Sequence, residues 1–73
     1  MIPEAKREEF FHLAAKIFGV ERVTLSDSTA YQSLPQWDSV NHLRLVMESE
    51  SAFNIRFPLE RIPALATLGD FFA

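Results

Sequence analysis

Apolar residues recur at helical spacing near the start of the chain. The face is formed by Phe10, Leu13, Ala14, Ile17 and Phe18. Positions i, i+3, i+4, i+7 and i+8 lie on one side of an α-helix. Pro3 suits the first helical position, and Gly19 is a typical residue just after a helix end. The pattern predicts a first helix from about Pro3 to Phe18.

A second helical pattern runs from about Ser39 to Phe53. Its apolar positions are Val40, Leu43, Val46, Met47 and Phe53, and Leu45 widens the stripe. Asp38 or Ser39 is predicted to cap its N-terminus, because either side chain can accept a hydrogen bond from a free backbone N–H. Asn54 is predicted to end it in a left-handed conformation. Since the helix is apolar on more than one face, we expect part of it to contact a partner.

The segment between the two patterns, Val20 to Gln36, has no sustained period and is rich in turn-forming residues. A loop this long inside a small domain needs its own packing contacts. We therefore expect four apolar residues to hold it across the helices: Val23, Leu25, Tyr31 and Leu34. Asp27 or Ser28 is predicted to cap a short turn of helix near residues 29–31.

The end of the chain predicts two short helical elements. Leu59 to Ile62 forms one or two turns that Pro63 stops, and Thr67 caps a last helix containing Leu68, Phe71 and Phe72. No segment alternates with period two. The prediction is one all-α domain over residues 1–73: a four-helix bundle with a long loop between helices 1 and 2 and a short helix 3.

Composition and charge narrow the function classes. The chain has 73 residues, no cysteine, two histidines and a net charge of −3. A disulfide framework or a cysteine-based metal site is excluded, and two histidines are few for a zinc site. Nucleic-acid binding needs clustered cations, so no nucleic-acid partner is expected. No run of apolar residues approaches a membrane span. We expect a soluble, cytoplasmic monomer with no metal.

Few residues form a pattern that could carry catalysis. Ser39 and His42 have the i, i+3 spacing at which helical side chains meet. A hydrolytic pair also needs an orienting carboxylate, an oxyanion hole and a substrate pocket, which a helical domain of this size does not predict. We therefore do not expect the chain to be an enzyme.

The whole arrangement resembles the acyl carrier protein family. The likeness rests on Trp37-Asp38-Ser39-Val40, the Leu45-Val46-Met47 centre of helix 2, Glu50, and the exit Phe53-Asn54-Ile55-Arg56-Phe57. The resemblance implies that Ser39 carries a covalent 4′-phosphopantetheine arm, attached from coenzyme A by a phosphopantetheinyl transferase. Acyl-loading and acyl-transferring enzymes would then be the other partners. A phosphodiester there would lie at a helix N-terminus, which favours anions.

The resemblance also assigns roles to residues around Ser39. Asp38 and Val40 would be recognised by the transferase, and Val40, Met47 and Phe57 would make apolar contacts with the arm or partner enzymes. Glu50 would belong to an acidic recognition patch.

The chain departs from fatty-acid carriers in the charge of helix 2. Arg44 stands where such carriers often have an acid, and Ser51 and Ala52 replace further acids. The paired glycines usual in peptidyl carriers are replaced by Gln36-Trp37. We therefore expect a freestanding carrier of acyl or aminoacyl groups in a specialised pathway. The alternatives are a housekeeping fatty-acid carrier and an unmodified helical interaction module.

Overall fold

The computed structural model describes residues 1–72, which form two α-helices and four 3₁₀ segments. Helix α1 is Arg7–Phe18, preceded by a 3₁₀ turn over Glu4–Lys6, and helix α2 is Ser39–Phe53. A 3₁₀ turn covers Arg22–Thr24. The 59–64 helix (Leu59–Ala64) and the 68–71 helix (Leu68–Phe71) are also 3₁₀. The described residues contain no β-strand, so the all-α prediction is confirmed.

Helix α1 ends at the predicted residue, Phe18, but begins at Arg7 and not near Pro3, since Glu4–Lys6 form a 3₁₀ turn. Gly19 follows its last residue with φ 67°, a left-handed conformation that suits glycine, and donates its N–H to the carbonyl of Ala15. The predicted apolar face packs inward, with Leu13 only partly buried, and Phe11 and Ala15 widen it. The helix therefore supplies one wall of the core.

Aromatic rings fill most of that core. Phe10 lies 5.0 Å from Phe71 between ring centroids, and Phe18 stacks on Trp37 at 5.2 Å. All four side chains have essentially no exposed surface. Large rings remove much apolar area from water per residue, which a chain of this length needs for stability.

Helix α2 has the predicted limits but a different buried face. Its buried residues are His42, Leu45, Val46 and Ser49, and Phe53 is partly buried. Val40, Leu43 and Met47, which were predicted in the stripe, are 70%, 52% and 66% exposed. The sequence of α2 contains two stripes at helical spacing. Packing buries the stripe that contains a histidine and a serine. The predicted place of Val40, Leu43 and Met47 in one buried stripe was therefore wrong, whereas the observation that α2 has apolar residues on more than one face agrees with their exposure.

The long loop is held by some of the expected residues. Leu25 is buried, and Tyr31 and Leu34 pack partly against the core. Val23 is 86% exposed, so its predicted packing was wrong. The 3₁₀ turn at Arg22–Thr24 points Val23 outward while the Arg22 guanidinium lies 4.2 Å above the Phe11 ring. No helical turn forms near residues 29–31.

Ion pairs tie the loop to α1. Arg22 Nη2 lies 2.6 Å from a carboxylate oxygen of Glu8, and Arg7 bonds both Glu4 and Asp27. The hydrogen bond from Arg22 lowers the pKa of the Glu8 carboxyl. Because the carboxylates are exposed and the two guanidinium groups are only partly buried, the pairs orient the loop more than they stabilise it.

The loop is also attached to the end of the chain. Tyr31 donates its N–H to the carbonyl of Ala66 at 2.8 Å, and Gly69 donates its N–H to that of Asp27 at 2.9 Å. A Cβ at position 69 would lie 3.0 Å from the Asp27 carbonyl oxygen. Glycine at this position, which weakens a helix, is therefore favoured by the close approach of the loop, because a larger residue would push Asp27 away.

The two short helices differ in detail from their prediction. The 59–64 helix continues through Pro63, because its turn bonds are donated by Arg61 and Leu65 and the missing N–H of proline removes neither. The prediction that Pro63 ends this helix was therefore wrong. The 68–71 helix follows Thr67 as predicted, and the Asp70 carboxylate accepts the N–H of Thr67 at 3.0 Å.

Ser49 is the one buried side chain of the described residues whose polar atom has no hydrogen-bond partner. An unpaired buried hydroxyl costs about 1–3 kcal/mol. We expect Ser49→Ala to raise the free energy of unfolding by more than 1 kcal/mol in urea denaturation. Ser51→Ala is the matched control on the same helix: Ser51 is exposed, so its gain is limited to helix propensity, about 0.5 kcal/mol. Equal gains for both variants would contradict the prediction.

None of the helices in residues 1–72 has the length and apolar character needed to cross a membrane.

Candidate functional site

The start of α2 is built around Asp38. Its backbone is extended, with φ −99° and ψ −176°, and its Oδ1 accepts the N–H of Asn41 at 2.9 Å. The Asp38 carbonyl accepts the N–H of His42 at 2.8 Å, the first bond of the helix. Asn41 Nδ2 in turn donates to the Gln36 carbonyl at 2.7 Å. Of the two predicted caps, Asp38 is therefore the N-cap and Ser39 is the first helical residue.

Ser39 lies on the surface at this junction. Its side chain is exposed, and its hydroxyl makes no hydrogen bond within residues 1–72. The N–H groups of Ser39 and Val40 are at positions that have no partner inside the helix. An exposed hydroxyl beside free N–H groups and the positive end of the helix dipole suits a covalently attached phosphodiester. The residues present therefore fit the group that the resemblance implies.

A buried hydrogen-bonded relay lies directly beside Ser39. Trp37 Nε1 donates to His42 Nδ1 at 3.0 Å, and His42 Nε2 lies 3.0 Å from the Ile62 carbonyl oxygen. The indole nitrogen is only a donor, so Nδ1 must be the acceptor and Nε2 must carry the proton. His42 is thus the neutral Nε2–H tautomer and donates to Ile62. The relay joins the residue before the cap, α2 and the 59–64 helix.

Aromatic side chains enclose the relay. The His42 ring lies 5.1 Å from Tyr31, 6.0 Å from Trp37 and 6.2 Å from Phe71 between centroids. His42 is 8% exposed and Trp37 is fully buried. Both nitrogens of His42 are engaged, so its imidazole is not placed to accept a proton from Ser39. The i, i+3 spacing does not produce a nucleophile–base pair here.

An exposed apolar face, defined as Val40, Leu43 and Met47, continues from Ser39 along α2. At about 100° per residue these three side chains fall within about 60° of the helix circumference. Arg44 and Glu48 border the face and pair with each other at 3.1 Å. The positive charge of Arg44 is therefore balanced by Glu48, so the face itself has little net charge, while the exposed Asp38 carboxylate lies next to Ser39.

Glu50 and Phe57 have structural positions that the resemblance did not indicate. A carboxylate oxygen of Glu50 accepts the N–H of Phe57 at 2.8 Å, which fixes the chain as it leaves α2. Phe57 is 5% exposed and lies 5.5 Å from Phe71. In this fold Phe57 is a core residue and not a surface contact for a partner. Glu50 is partly buried, and its carboxylate holds the backbone that follows α2.

Two clefts flank α2, each of about 460 Å³. One lies at the end of the helix, and its lining includes Met47, Ser51 and Arg56. The other lies between the long loop and the residues around the 59–64 helix, and its lining includes Tyr31, His42 and Pro63. The exposed apolar face joins the first cleft through Met47, and the relay joins the second through His42.

The sequence did not indicate Trp37, His42 and Ile62 as a unit. The usable signal was a second stripe on α2, at positions 42, 45, 46, 49 and 53, in which His42 occupies a core position. A polar residue at a core position predicts a buried partner. The sequence does not indicate the Ile62 carbonyl as this partner, because it is a backbone group that only tertiary packing brings to His42.

Comparison with known proteins adds no assignment: no protein-family model matches the chain, and neither does any curated protein.

Proposed function

We propose that this chain is a carrier protein of the acyl carrier type, with a 4′-phosphopantetheine arm on Ser39. The observation that carries the proposal is the position of Ser39: an exposed, unbonded hydroxyl directly after the Asp38 N-cap of a 15-residue helix. The order of elements, with a long loop before α2 and two short helices after it, suits the four-helix carrier fold.

Attachment would be a transfer reaction catalysed by a separate enzyme, the phosphopantetheinyl transferase. The Ser39 oxygen forms a bond to the phosphorus that bears the pantetheine arm of coenzyme A. The bond from that phosphorus to the leaving adenosine 3′,5′-bisphosphate breaks, and the hydroxyl proton passes to a base of the transferase. Once attached, the arm supplies a thiol that holds acyl groups as thioesters. Asp38 orders the first turn, and free N–H groups there favour the phosphodiester.

The exposed apolar face gives this carrier its proposed docking surface. Val40 lies beside Ser39, and Met47 lies two turns further along the same side of α2. Arg44 is paired with Glu48, so this surface offers little charge to steer a strongly basic enzyme. This supports a carrier of a specialised pathway over a housekeeping fatty-acid carrier, and we propose that the carrier is cytoplasmic and monomeric. Recognition by the transferase would involve Asp38 and Val40.

The test is modification of the purified protein by a broad-specificity phosphopantetheinyl transferase and coenzyme A. We expect the intact mass of the wild type to rise by one phosphopantetheine and that of Ser39→Ala to stay unchanged. Ser51→Ala, an exposed serine on the same helix, is the matched control and should be modified like the wild type. Absence of a mass gain on the wild type, or a full gain on Ser39→Ala, would reject the proposal.

The exposed apolar face also favours a second candidate, an unmodified helical interaction module. This alternative predicts that Met47→Asp weakens partner binding while Ser39→Ala has no effect, and that no mass gain occurs. The modification experiment therefore separates the two functions before any partner is identified.

A further inference from the structure

The first core-facing residue of α2 after Ser39 belongs to the relay. Ser39 is at the edge of α2, and the first residue after it that faces the core is His42, one turn along the helix. Val46 is the next inward-facing residue on that side, one turn further. A chain passing from Ser39 into the core along α2 would therefore meet the His42 imidazole first.

At this position the relay consists of hydrogen-bonded polar groups and stacked rings. Trp37 is fully buried against Phe18 and donates to His42, while His42 donates to the Ile62 carbonyl of the 59–64 helix. Separating α2 from the 59–64 helix would break the part-buried bond between His42 Nε2–H and the Ile62 carbonyl, which is unfavourable wherever water does not replace the lost partner. An alkyl chain offers no hydrogen bond to replace the one it would break.

A cleft outside the relay remains available to a small group. Its lining residues are Ala30, Tyr31, His42, Pro63, Leu65 and Ala66, with a volume of about 460 Å³. Pro63 and Ala66 are exposed, so the cleft opens at the surface. Tyr31 and His42 are the lining residues with polar side chains, and the Tyr31 hydroxyl makes no hydrogen bond within residues 1–72.

Resting on the proposed function, we infer that the Trp37–His42–Ile62 relay keeps the carried group out of the core. The cargo is then a short or polar acyl group that stays in the surface cleft or in solvent. Outside the core, a long alkyl group would cover one side of itself on the exposed apolar face and leave the rest of its apolar surface in water, a penalty that grows with each methylene. The relay thus selects against long-chain cargo.

The first test uses a transferase with acetyl-, butyryl- and octanoyl-coenzyme A to make three loaded forms, each verified by intact mass. The indole N–H resonance of Trp37 and the ring ¹⁵N resonances of His42 are then recorded by NMR. We expect the Trp37 resonance and the Nε2–H tautomer of His42 to be the same in all three forms. A shift of the indole resonance or a change of tautomer in the octanoyl form alone would overturn the inference.

The second readout is the reactivity of the thioester. Hydroxylamine cleaves each loaded form, and each rate is divided by that of the same acyl-pantetheine free in solution. We expect the same ratio for acetyl and octanoyl groups, whereas several-fold protection of octanoyl would show that the core admits it. If no acyl form gains mass, the proposed function and this inference fall together. If loading succeeds and octanoyl is protected, only the inference is rejected.

Discussion

Replacing Trp37 with alanine is expected to unfold much of the protein population at 25 °C. The side chain is fully buried, stacks on Phe18 and donates to His42. Removing a buried aromatic ring costs about 3–5 kcal/mol, and leaving His42 Nδ1 without its donor adds about 1–3 kcal/mol. A domain of this length has about 4–11 kcal/mol of stability in total, so the loss takes most of it.

The measurement is urea denaturation followed by far-ultraviolet circular dichroism, because Trp37 is the only tryptophan and the variant loses the usual fluorescence signal. Trp37→Phe is the matched control. It keeps an aromatic ring against Phe18 and removes the indole N–H, so we expect a smaller loss, about 1–3 kcal/mol. A Trp37→Ala variant within 1 kcal/mol of the wild type would show that the relay does not hold the fold.

Phe71→Ala is expected to destabilise the fold by about 3–5 kcal/mol. The ring has no exposed surface and lies 5.0 Å from Phe10 and 5.5 Å from Phe57. The Phe71 carbonyl also accepts the N–H of Ile2 at 3.0 Å, which joins the two ends of the described chain. The short last element therefore supplies one of the fully buried rings of the core.

The neighbouring residue is the control for this variant. Phe72 is partly exposed, with its ring 5.2 Å from Phe10 and beneath the Arg7 guanidinium. We expect Phe72→Ala to cost about 1–2 kcal/mol, because less apolar area returns to water. Thermal or urea unfolding of both variants checks the order. Equal losses would indicate that the 68–71 helix packs as a loose unit and that Phe71 has no special position.

Local features of the site were predictable because short-range chemistry determines them. The α2 limits, the capped junction at Asp38 and the left-handed Asn54, with φ 54°, follow from residues within one turn of each other. The exposed position of Ser39 also follows, since a cap and the first helical residue lie at a helix end. The apolar residues on more than one face of α2 are also visible in the sequence, and the expected contact of the exposed ones with a partner stays a prediction.

Which face of α2 is buried was not predictable from its own residues. Two stripes fit the helical period, and Val40, Leu43 and Met47 form the more apolar one. The structure buries His42 and Ser49 instead. Periodicity measures hydrophobicity along one helix, whereas burial depends on the side chains and backbone groups that pack against that helix. Here the Trp37 indole N–H and the Ile62 carbonyl form hydrogen bonds with the His42 imidazole and so permit its burial.

The sequence by itself determined the all-α class, the limits of α2, the end of α1 and the junction that presents Ser39, because caps, helix ends and apolar spacing act over a few residues. Only the tertiary structure decided that Phe57 and His42 are internal, that Val23 is external and that Trp37 and Ile62 share one imidazole. Those contacts join residues 5 and 20 positions apart in the relay. Their geometry depends on how α2, the loop and the 59–64 helix pack together, which no local pattern encodes.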